Sequence, residues 1–172
     1  WFRDLPVYIG GGFRIFASVE SYLVAGVVYV IIGTMAVIRP DLITLLCAEF
    51  AGNVIVGIDA KDGMVAVHGW AENSDHSAQE LALRFEDQGV AAIVYTDINR
   101  DGMMQGVNVE ATRQLAASVS VPVIASGGVT DMECIVELNA VKDSGIQGVI
   151  IGRALYERTI SLTEAQAYID QN

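Results

Sequence analysis

Basic residues are scarce in this sequence, and their scarcity narrows the functions it can have. Ten lysines and arginines stand against 21 aspartates and glutamates, which gives a formal net charge of -11 at pH 7. Proteins that bind nucleic acid through its phosphates usually carry a basic patch. The composition therefore argues against a nucleic-acid partner. It leaves room for a small phosphorylated ligand, which a few backbone N–H groups and one arginine can hold.

Proline and cysteine are also few. Three prolines interrupt a chain that is 52% hydrophobic and 18% charged, a composition typical of a folded domain rather than a disordered one. Cys47 and Cys134 lie in apolar helical patterns without a CxxC motif or a histidine-rich neighbourhood. We interpret them as reduced core residues of a cytoplasmic protein, with a disulfide or a metal site as the alternative.

Charge is absent from one long segment. Residues 21–38, SYLVAGVVYVIIGTMAVI, carry no charged side chain and approach the length of a transmembrane helix. No basic flank precedes them, and Gly26 divides them into the end of a helix and a buried strand, VVYVIIG. We therefore expect a buried strand here and no membrane partner.

Two pairs of similar strings recur at a nearly constant displacement. LPVYIGGG at 5–12 resembles VPVIASGG at 121–128, and VVYVIIGTMA at 27–36 resembles IQGVIIGRAL at 146–155. Duplicated strand-plus-glycine units indicate a repeated architecture. The same displacement would place the partner of Asp59 ahead of Trp1, which predicts two further βα units before the first residue of this sequence.

Short apolar runs and helical patterns alternate along the chain. Pro40 and Asp41 are expected to begin one helix and Asp75 another. Six consecutive βα units predict a parallel sheet whose carboxyl-terminal strand ends carry the ligand chemistry. The pattern predicts strands at 6–9, 28–32, 54–58, 91–95, 122–125 and 148–151, and helices near 16–25, 40–50, 76–88, 108–118, 131–140 and 161–170.

Glycine-rich or polar motifs follow each predicted strand. A single glycine can simply close a tight turn, and a single aspartate can cap a helix. Six such motifs at one edge of a sheet instead indicate a binding or catalytic rim. The motifs are GGG at 10–12 with Arg14, Gly33–Thr34, Asp59, Thr96–Asp97, SGG at 126–128 and Gly152–Arg153.

Longer strings carry a family resemblance that covers nearly the whole chain. GGGFR, VIIGT, IDAKDGMVAVHGWAENS, YTDINRDGM, VIASGGV and GVIIGRALYE together resemble the phosphoribosylformimino-5-aminoimidazole carboxamide ribotide isomerases of histidine biosynthesis. The resemblance implies an α/β fold, a partial (βα)8 TIM barrel of the ribulose-phosphate-binding type. Six βα units, the third to the eighth, would be present in this chain.

The resemblance implies an Amadori rearrangement, in which a bis-phosphorylated ribosylamine becomes an aminoketose. The ring oxygen gains a proton as the ring opens and C2 then loses one, work that suits two opposed carboxylates. Asp59 matches the family's proton donor, and Thr96 matches a residue that hydrogen-bonds near the reacting centre. The family's first catalytic aspartate has no counterpart here, so we expect this chain to be weakly active or inactive by itself.

The resemblance also implies two phosphate sites, one in each duplicated unit, and no cofactor or metal. Trp70, on the long loop after the strand that bears Asp59, is expected to stack on the imidazole of the substrate. His68 is expected to be an ordinary loop residue. The implied substrate-binding residues are Gly11, Gly12, Arg14, Gly33 and Thr34 for one phosphate, Gly127, Gly128, Gly152 and Arg153 for the other, and Trp70, Ser74, Gly102 and Asn108 in neighbouring loops.

Two alternatives share part of these motifs. A non-catalytic phosphate-binding barrel fragment would keep both phosphate sites without chemistry. The cyclase subunit of imidazole glycerol phosphate synthase is similar at VIASGG and RDG, although HGWAENS and YTDINRDG fit the isomerase better. An isomerase that also acts on phosphoribosylanthranilate is a further option.

The expected domain is a single incomplete barrel over residues 1–172, with 1–52 the remainder of the N-terminal half and 53–172 the C-terminal half. Such a barrel exposes two strand edges and part of its apolar interior, so we expect a homo-oligomer. Phe16 and Tyr29 stand where the family usually carries polar or charged residues, which makes the N-terminal part unusually apolar.

Overall fold

One parallel sheet organises the chain. The computed structural model describes residues 5–67, 69–70 and 72–172, with the side chains of Glu72 and Asn73 left out. Within these residues the parallel strands, in spatial order, are β1 (Tyr8–Gly10), β2 (Tyr29–Ile32), β3 (Val54–Lys61), β6 (Ala92–Asp97), β7 (Val123–Ser126) and β8 (Ile146–Val149). Two antiparallel strands, β4 (Met64–Val67) and β5 (Glu72–Ser77), extend from the end of β3.

Helices connect the parallel strands, so the described chain is a run of βα units that forms a partial (βα)8 barrel. This confirms the predicted fold class. The helices are α1 (Phe16–Val24), α2 (Thr34–Ile38), α3 (Pro40–Glu49), α4 (Ala78–Asp87), α5 (Val109–Ala117), α6 (Met132–Ala140), α7 (Arg153–Glu157) and α8 (Leu162–Gln171). The five-residue helices α2 and α7 were not predicted; each begins directly after the glycine that ends a duplicated strand unit.

The two faces of the sheet pack differently, because side chains alternate along each strand. On the face covered by helices, strand residues join the main core, among them Val30, Val56 and Ile93. The opposite, concave face carries a small separate cluster. It comprises Ile55, Ala92 and Val94, with Tyr29, Ile31, Ala91 and Ile124 packed against them. The site described below lies above this smaller cluster.

The last strand is displaced from its predicted position. The apolar run suggested 148–151, but β8 covers Ile146–Val149. Gly145, at a φ of 108°, ends a short 3-10 turn, so the strand begins immediately after it. Ile146 pairs with Val123, and a register shift then aligns Gly148 with Ile124. Because the pairing begins before the apolar run, the sequence pattern placed the strand too late.

The predicted long loop after β3 is a β-hairpin. Lys61 pairs with Met64 across a two-residue turn in which Asp62 and Gly63 have φ values of 51° and 80°. Two successive positive φ angles are typical of a type I′ hairpin turn, for which Asp-Gly is a favoured sequence. The Asp-Gly signal was present in the sequence and pointed to this hairpin.

Helix starts were predicted with mixed success. Pro40 occupies the first turn of α3 with Asp41, as expected. The expectation that Asp75 begins the next helix is wrong, because Asp75 lies in β5 and α4 begins after Ser77. The Ser77 hydroxyl accepts a hydrogen bond from the Glu80 N–H, and the Glu80 carboxylate accepts one from the Ser77 N–H. This capping box stabilises the start that the chain adopts.

The two unusual aromatic residues of the N-terminal part pack against other aromatic rings. Phe16 stacks on Phe50 with ring centroids 5.3 Å apart, and Tyr29 lies 4.7 Å from Tyr8. The cysteines are free and buried, as interpreted. In the described residues no helix has the length and apolar character needed to cross a membrane.

Candidate active site

The duplicated sequence units have the same backbone geometry. Gly11 and Gly12 have φ values of 96° and 75°, and their counterparts Gly127 and Gly128 have 87° and 86°. The glycines that precede the short helices also match, with φ and ψ of -94° and -113° before α2 and -101° and -101° before α7. The sequence repeat therefore corresponds to a repeat of backbone conformation at the carboxyl-terminal ends of the strands.

These units present backbone donors. Among hydrogen bonds between described residues, the backbone N–H groups of Gly12, Gly128 and Gly152 donate to no carbonyl. Unpaired N–H groups beside a helix start suit an anionic ligand, because they supply donors and the helix dipole adds positive potential. The arrangement is able to hold a phosphate in each unit.

Three polar residues form a row across neighbouring strands. Asp59 of β3 is in register with Thr96 of β6, and Thr96 is in register with Ser126 of β7. Thr96 is buried, whereas Asp59 and Ser126 are partly exposed on the concave face. The register thus brings the two predicted catalytic residues, Asp59 and Thr96, side by side. Ser126 was not singled out for its own chemistry, although its place before two glycines was a usable signal.

A cleft of about 790 Å³ lies over this row. It contains one arginine and one carboxylate from the described residues, Arg14 and Asp59, so a positive group and a potential proton donor face the same space. The cleft joins the first predicted phosphate site to the predicted catalytic pair, Asp59 and Thr96. Its lining includes Gly11, Gly12, Arg14, Gly33, Thr34, Asp59, Gly69, Thr96, Ser126 and Ile150.

A second, smaller cavity of about 70 Å³ lies beside the cleft, with Ser126 and Ile150 lining both. It too has one arginine and one aspartate in its described lining, Arg153 and Asp101. Asp101 was missed by the sequence reasoning; its place in the RDG motif at the end of a strand was the available signal. This cavity collects the predicted residues Gly102, Gly127, Gly128, Gly152 and Arg153.

Trp70 reaches the row from the hairpin between β4 and β5. Its indole Nε1–H donates a 2.8 Å hydrogen bond to Oδ2 of Asp59. The residue has a φ of 72° and is 45% exposed, so the ring lies outside the core. Its bond places the indole nitrogen beside Asp59, which lines the cleft. A ring in this position can cover a bound ligand, and it contacts the predicted proton donor directly.

Arg153 is tied to its surroundings. Its Nη1 donates a 2.9 Å hydrogen bond to the carbonyl of Gly102, and its Nε donates a 3.1 Å bond to Glu157. The first contact joins the rim of β8 to the loop after β6. Both arginines are exposed, and Arg14 lies at the mouth of the large cleft.

Three predicted residues, Trp70, Ser74 and Asn108, line neither of the two cavities in the described structure. Ser74 lies in β5, where its hydroxyl accepts a hydrogen bond from the His76 N–H. Asn108 caps α5: its Oδ1 accepts from the Ala111 N–H. His68 lies outside the described residues.

Comparison with known proteins gives a consistent family. The family model described as "Histidine biosynthesis protein" matches residues 3–161. The chain is 59% identical over 170 residues to a 1-(5-phosphoribosyl)-5-((5-phosphoribosylamino)methylideneamino) imidazole-4-carboxamide isomerase from Thioalkalivibrio sulfidiphilus, covering 99% of this chain and 70% of the relative. Relatives with the same name from Hahella chejuensis and Marinobacter nauticus are 60% and 57% identical, each over 98% of this chain and 69% of the relative.

Proposed function

The chain belongs to the histidine biosynthesis protein family, and we propose that it acts as the isomerase for which its relatives are named. The reaction is the Amadori rearrangement of a bis-phosphorylated ribosylamine to an aminoketose. One observation carries the proposal: the Asp59 carboxylate lies in a cleft bordered by two glycine-rich cradles, each with one arginine. A substrate with a phosphate at each end suits two cradles that each contain one arginine.

Asp59 is proposed as the proton donor of the first step. Its proton passes to the ring oxygen as the bond between that oxygen and C1 breaks, leaving a protonated imine. A base then removes the proton from C2, and the resulting enolamine tautomerises to the aminoketose. Thr96, in register with Asp59, is proposed to hydrogen-bond near the reacting atoms.

Removal of the C2 proton needs a second acid/base group, and we expect this step to limit the rate of turnover. Among the described residues that line the large cleft, Asp59 is the only carboxylate. A missing acid or base typically costs a factor of about 10² to 10⁴ in rate. We therefore expect slow turnover from the 172-residue chain, while binding of the two phosphates depends only on the cradles.

Substitution of the proposed proton donor tests the function. Asp59→Asn keeps the shape of the side chain and removes its proton-transfer ability, so any isomerase turnover should fall by about 10² or more. Asp75→Asn changes an exposed carboxylate of β5 and should leave turnover unchanged. Turnover that survives Asp59→Asn contradicts the assignment. Tight binding of a bis-phosphorylated ligand with no turnover in the unmodified chain favours the non-catalytic phosphate-binding alternative.

We propose in addition that residues 1–172 act as one incomplete barrel domain that forms homo-oligomers. Within the described residues β1 pairs only with β2, and β8 pairs only with β7, so neither edge meets the other. Large apolar side chains are exposed in the first βα unit, including Leu5 before β1 at 67% and Val24 at the end of α1 at 82%. Exposed strand edges and apolar patches favour association.

Solution mass tests the assembly. Light scattering should give at least a dimer, and Val24→Lys should shift the distribution toward the monomer. Leu83→Lys, at a position 43% exposed on α4, which packs against the interior strand β3, serves as the control. A strictly monomeric unmodified chain contradicts the assembly. We also propose a cytoplasmic location, because both buried cysteines are free thiols.

A further inference from the structure

A buried carboxylate outside the catalytic row has no assigned role. Asp97 follows Thr96 at the end of β6 and is only 7% exposed. It takes part in none of the ion pairs between described residues. Burial of an unpaired charge is costly unless hydrogen bonds satisfy it. The contacts that satisfy Asp97 therefore indicate what this carboxylate is for.

Those contacts close a loop. Oδ1 of Asp97 accepts a 3.0 Å hydrogen bond from the Asn99 N–H, and Oδ2 accepts a 2.6 Å bond from Nδ2 of Asn108. The second bond spans eleven residues and joins the end of β6 to the residue that caps α5. The backbone carbonyl of Asp97 also accepts from the N–H groups of Arg100 and Asp101. Both ends of the segment 98–107 are thus fixed by one residue.

The closed loop forms one wall of the smaller cavity. Asp101, Gly102 and Met104 line that cavity, and the Gly102 carbonyl accepts the bond from Arg153. The Gly106 carbonyl lies against Gly128, so closely that a Cβ added there would be 2.5 Å from it. The position of the loop therefore sets the position of both the arginine and one glycine of the second cradle.

We propose that Asp97 is a positioning residue, which acts through its hydrogen bond to Asn108 to hold the loop 98–107 as the wall of the second phosphate cavity. The inference rests on the proposed function for the identity of the ligand. It assigns no contact between Asp97 and the substrate. The role requires a side chain with two acceptor oxygens at position 97, one facing the Asn108 amide and the other facing the Asn99 N–H.

Exchanging the two side chains gives a sharp test. In Asp97→Asn the new amide must face either the Asn108 amide or the Asn99 N–H with a donor, so one buried donor loses its acceptor. In the double variant Asp97→Asn/Asn108→Asp, the amide at position 97 donates to the carboxylate at position 108, and all three hydrogen bonds are possible again. That carboxylate can also cap α5, since aspartate is a favoured N-cap residue. Asn108→Ser keeps a cap oxygen and removes the link to Asp97, which separates the link from capping.

Two readouts distinguish this proposal from the proposed function. The first is hydrogen exchange of amides 98–107, which needs no ligand. The second is titration with inorganic phosphate in an Arg14→Ala background, where the smaller cavity is the remaining proposed site. Asp97→Asn and Asn108→Ser should exchange at least tenfold faster in this loop and bind phosphate about tenfold more weakly, which is about 1.4 kcal/mol. The double variant should return both values to within about threefold of the parent.

The outcomes decide the matter separately for the two claims. Unchanged loop exchange in Asp97→Asn overturns the positioning role, as does a folded double variant that stays as impaired as the single one. A loop protected in Asn108→Ser shows that the Asp97–Asn108 link is not needed and also overturns it. If phosphate does not bind even to the parent chain, the second cradle fails, while the exchange pattern still decides the role of Asp97. Thermal melting of each variant confirms that the remainder of the fold is intact.

Discussion

Alanine substitutions at Gly12 and Gly128 separate the energetic cost of an unfavourable backbone φ from the cost of a steric collision. Gly128 and Gly12 occupy equivalent places in the duplicated units, with φ values of 86° and 75°. A Cβ on Gly128 would lie 2.5 Å from the Gly106 carbonyl oxygen and 2.9 Å from Cβ of Arg100, whereas a Cβ on Gly12 would have nothing within 4 Å. Alanine at Gly12 therefore meets only the unfavourable φ, and alanine at Gly128 meets the same φ and a backbone collision.

The expected magnitudes follow from these two costs. A left-handed conformation costs an alanine about 1–2 kcal/mol relative to glycine. Overpacking against atoms that cannot move aside adds about 1–3 kcal/mol. Gly12→Ala should therefore reduce the free energy of unfolding by about 1–2 kcal/mol, and Gly128→Ala by about 2–5 kcal/mol.

Urea unfolding monitored by circular dichroism measures both variants. With a slope of about 2 kcal/mol per M for a chain of this size, the midpoint of Gly128→Ala should fall about 1 M below that of Gly12→Ala. Equal midpoints would refute the reasoning, since the collision would then cost nothing. Gly12→Ala should nevertheless weaken phosphate binding, because the new methyl group would stand in the open mouth of the first cradle.

Three further predictions concern single side chains. Trp70→Phe keeps a ring for stacking and removes the bond to the proposed proton donor Asp59, so substrate affinity should stay within about threefold of the parent. Trp70→Ala should lower the affinity about tenfold or more, and equal losses in the two variants would contradict stacking. Ser77→Ala should lower the free energy of unfolding by about 1 kcal/mol in thermal or urea unfolding, because α4 loses its cap, and Asp75→Ala should leave it unchanged. A larger loss in Asp75→Ala than in Ser77→Ala would instead support Asp75 as the residue that begins the helix. Hydrogen bonds from neighbouring Arg113 and Gln114 lower the pKa of Glu110 from 4.5 to about 2. Because the pKa of Glu110 is lower in the folded state, its carboxylate stabilises the fold above about pH 4.5, and this stabilisation disappears as the pH falls through 2. The melting temperatures of Glu110→Gln and the parent should therefore differ at neutral pH and become equal near pH 2.

The sequence alone predicted the repeated parts of the structure well. The strand-plus-glycine units that include Gly12 and Gly128 were identified by their letters, and the structure gives them matching backbone angles. The alternation of apolar runs with helical patterns also placed most strands and helices to within a few residues. These features depend on local periodicity and on the positions of glycines, which can be identified from the sequence without knowledge of tertiary contacts.

Features that depend on pairing between distant residues were harder to predict. The position of β8 is set by its register against β7, which includes a shift at Val123 that no local pattern shows. The start of α4 is set by the reciprocal hydrogen bonds between Ser77 and Glu80, so the helix begins after Ser77 and not at Asp75.

The site shows the same division between residue type and contact. The place of Asp59 and Thr96 at the rim was predicted from their position at strand ends, and their catalytic roles from the family resemblance. That Trp70 bonds to Asp59 depends on how a hairpin folds over the sheet. The role proposed for Asp97 likewise depends on a partner eleven residues away.

The number of phosphate sites tests the central claim most directly. If the duplicated units are two anion cradles on one rim, titration with inorganic phosphate should reveal two sites per chain. Arg14→Ala should remove or weaken one site and Arg153→Ala the other, with each variant leaving its neighbour intact. A single site, or two arginine variants that affect the same site, would contradict the account.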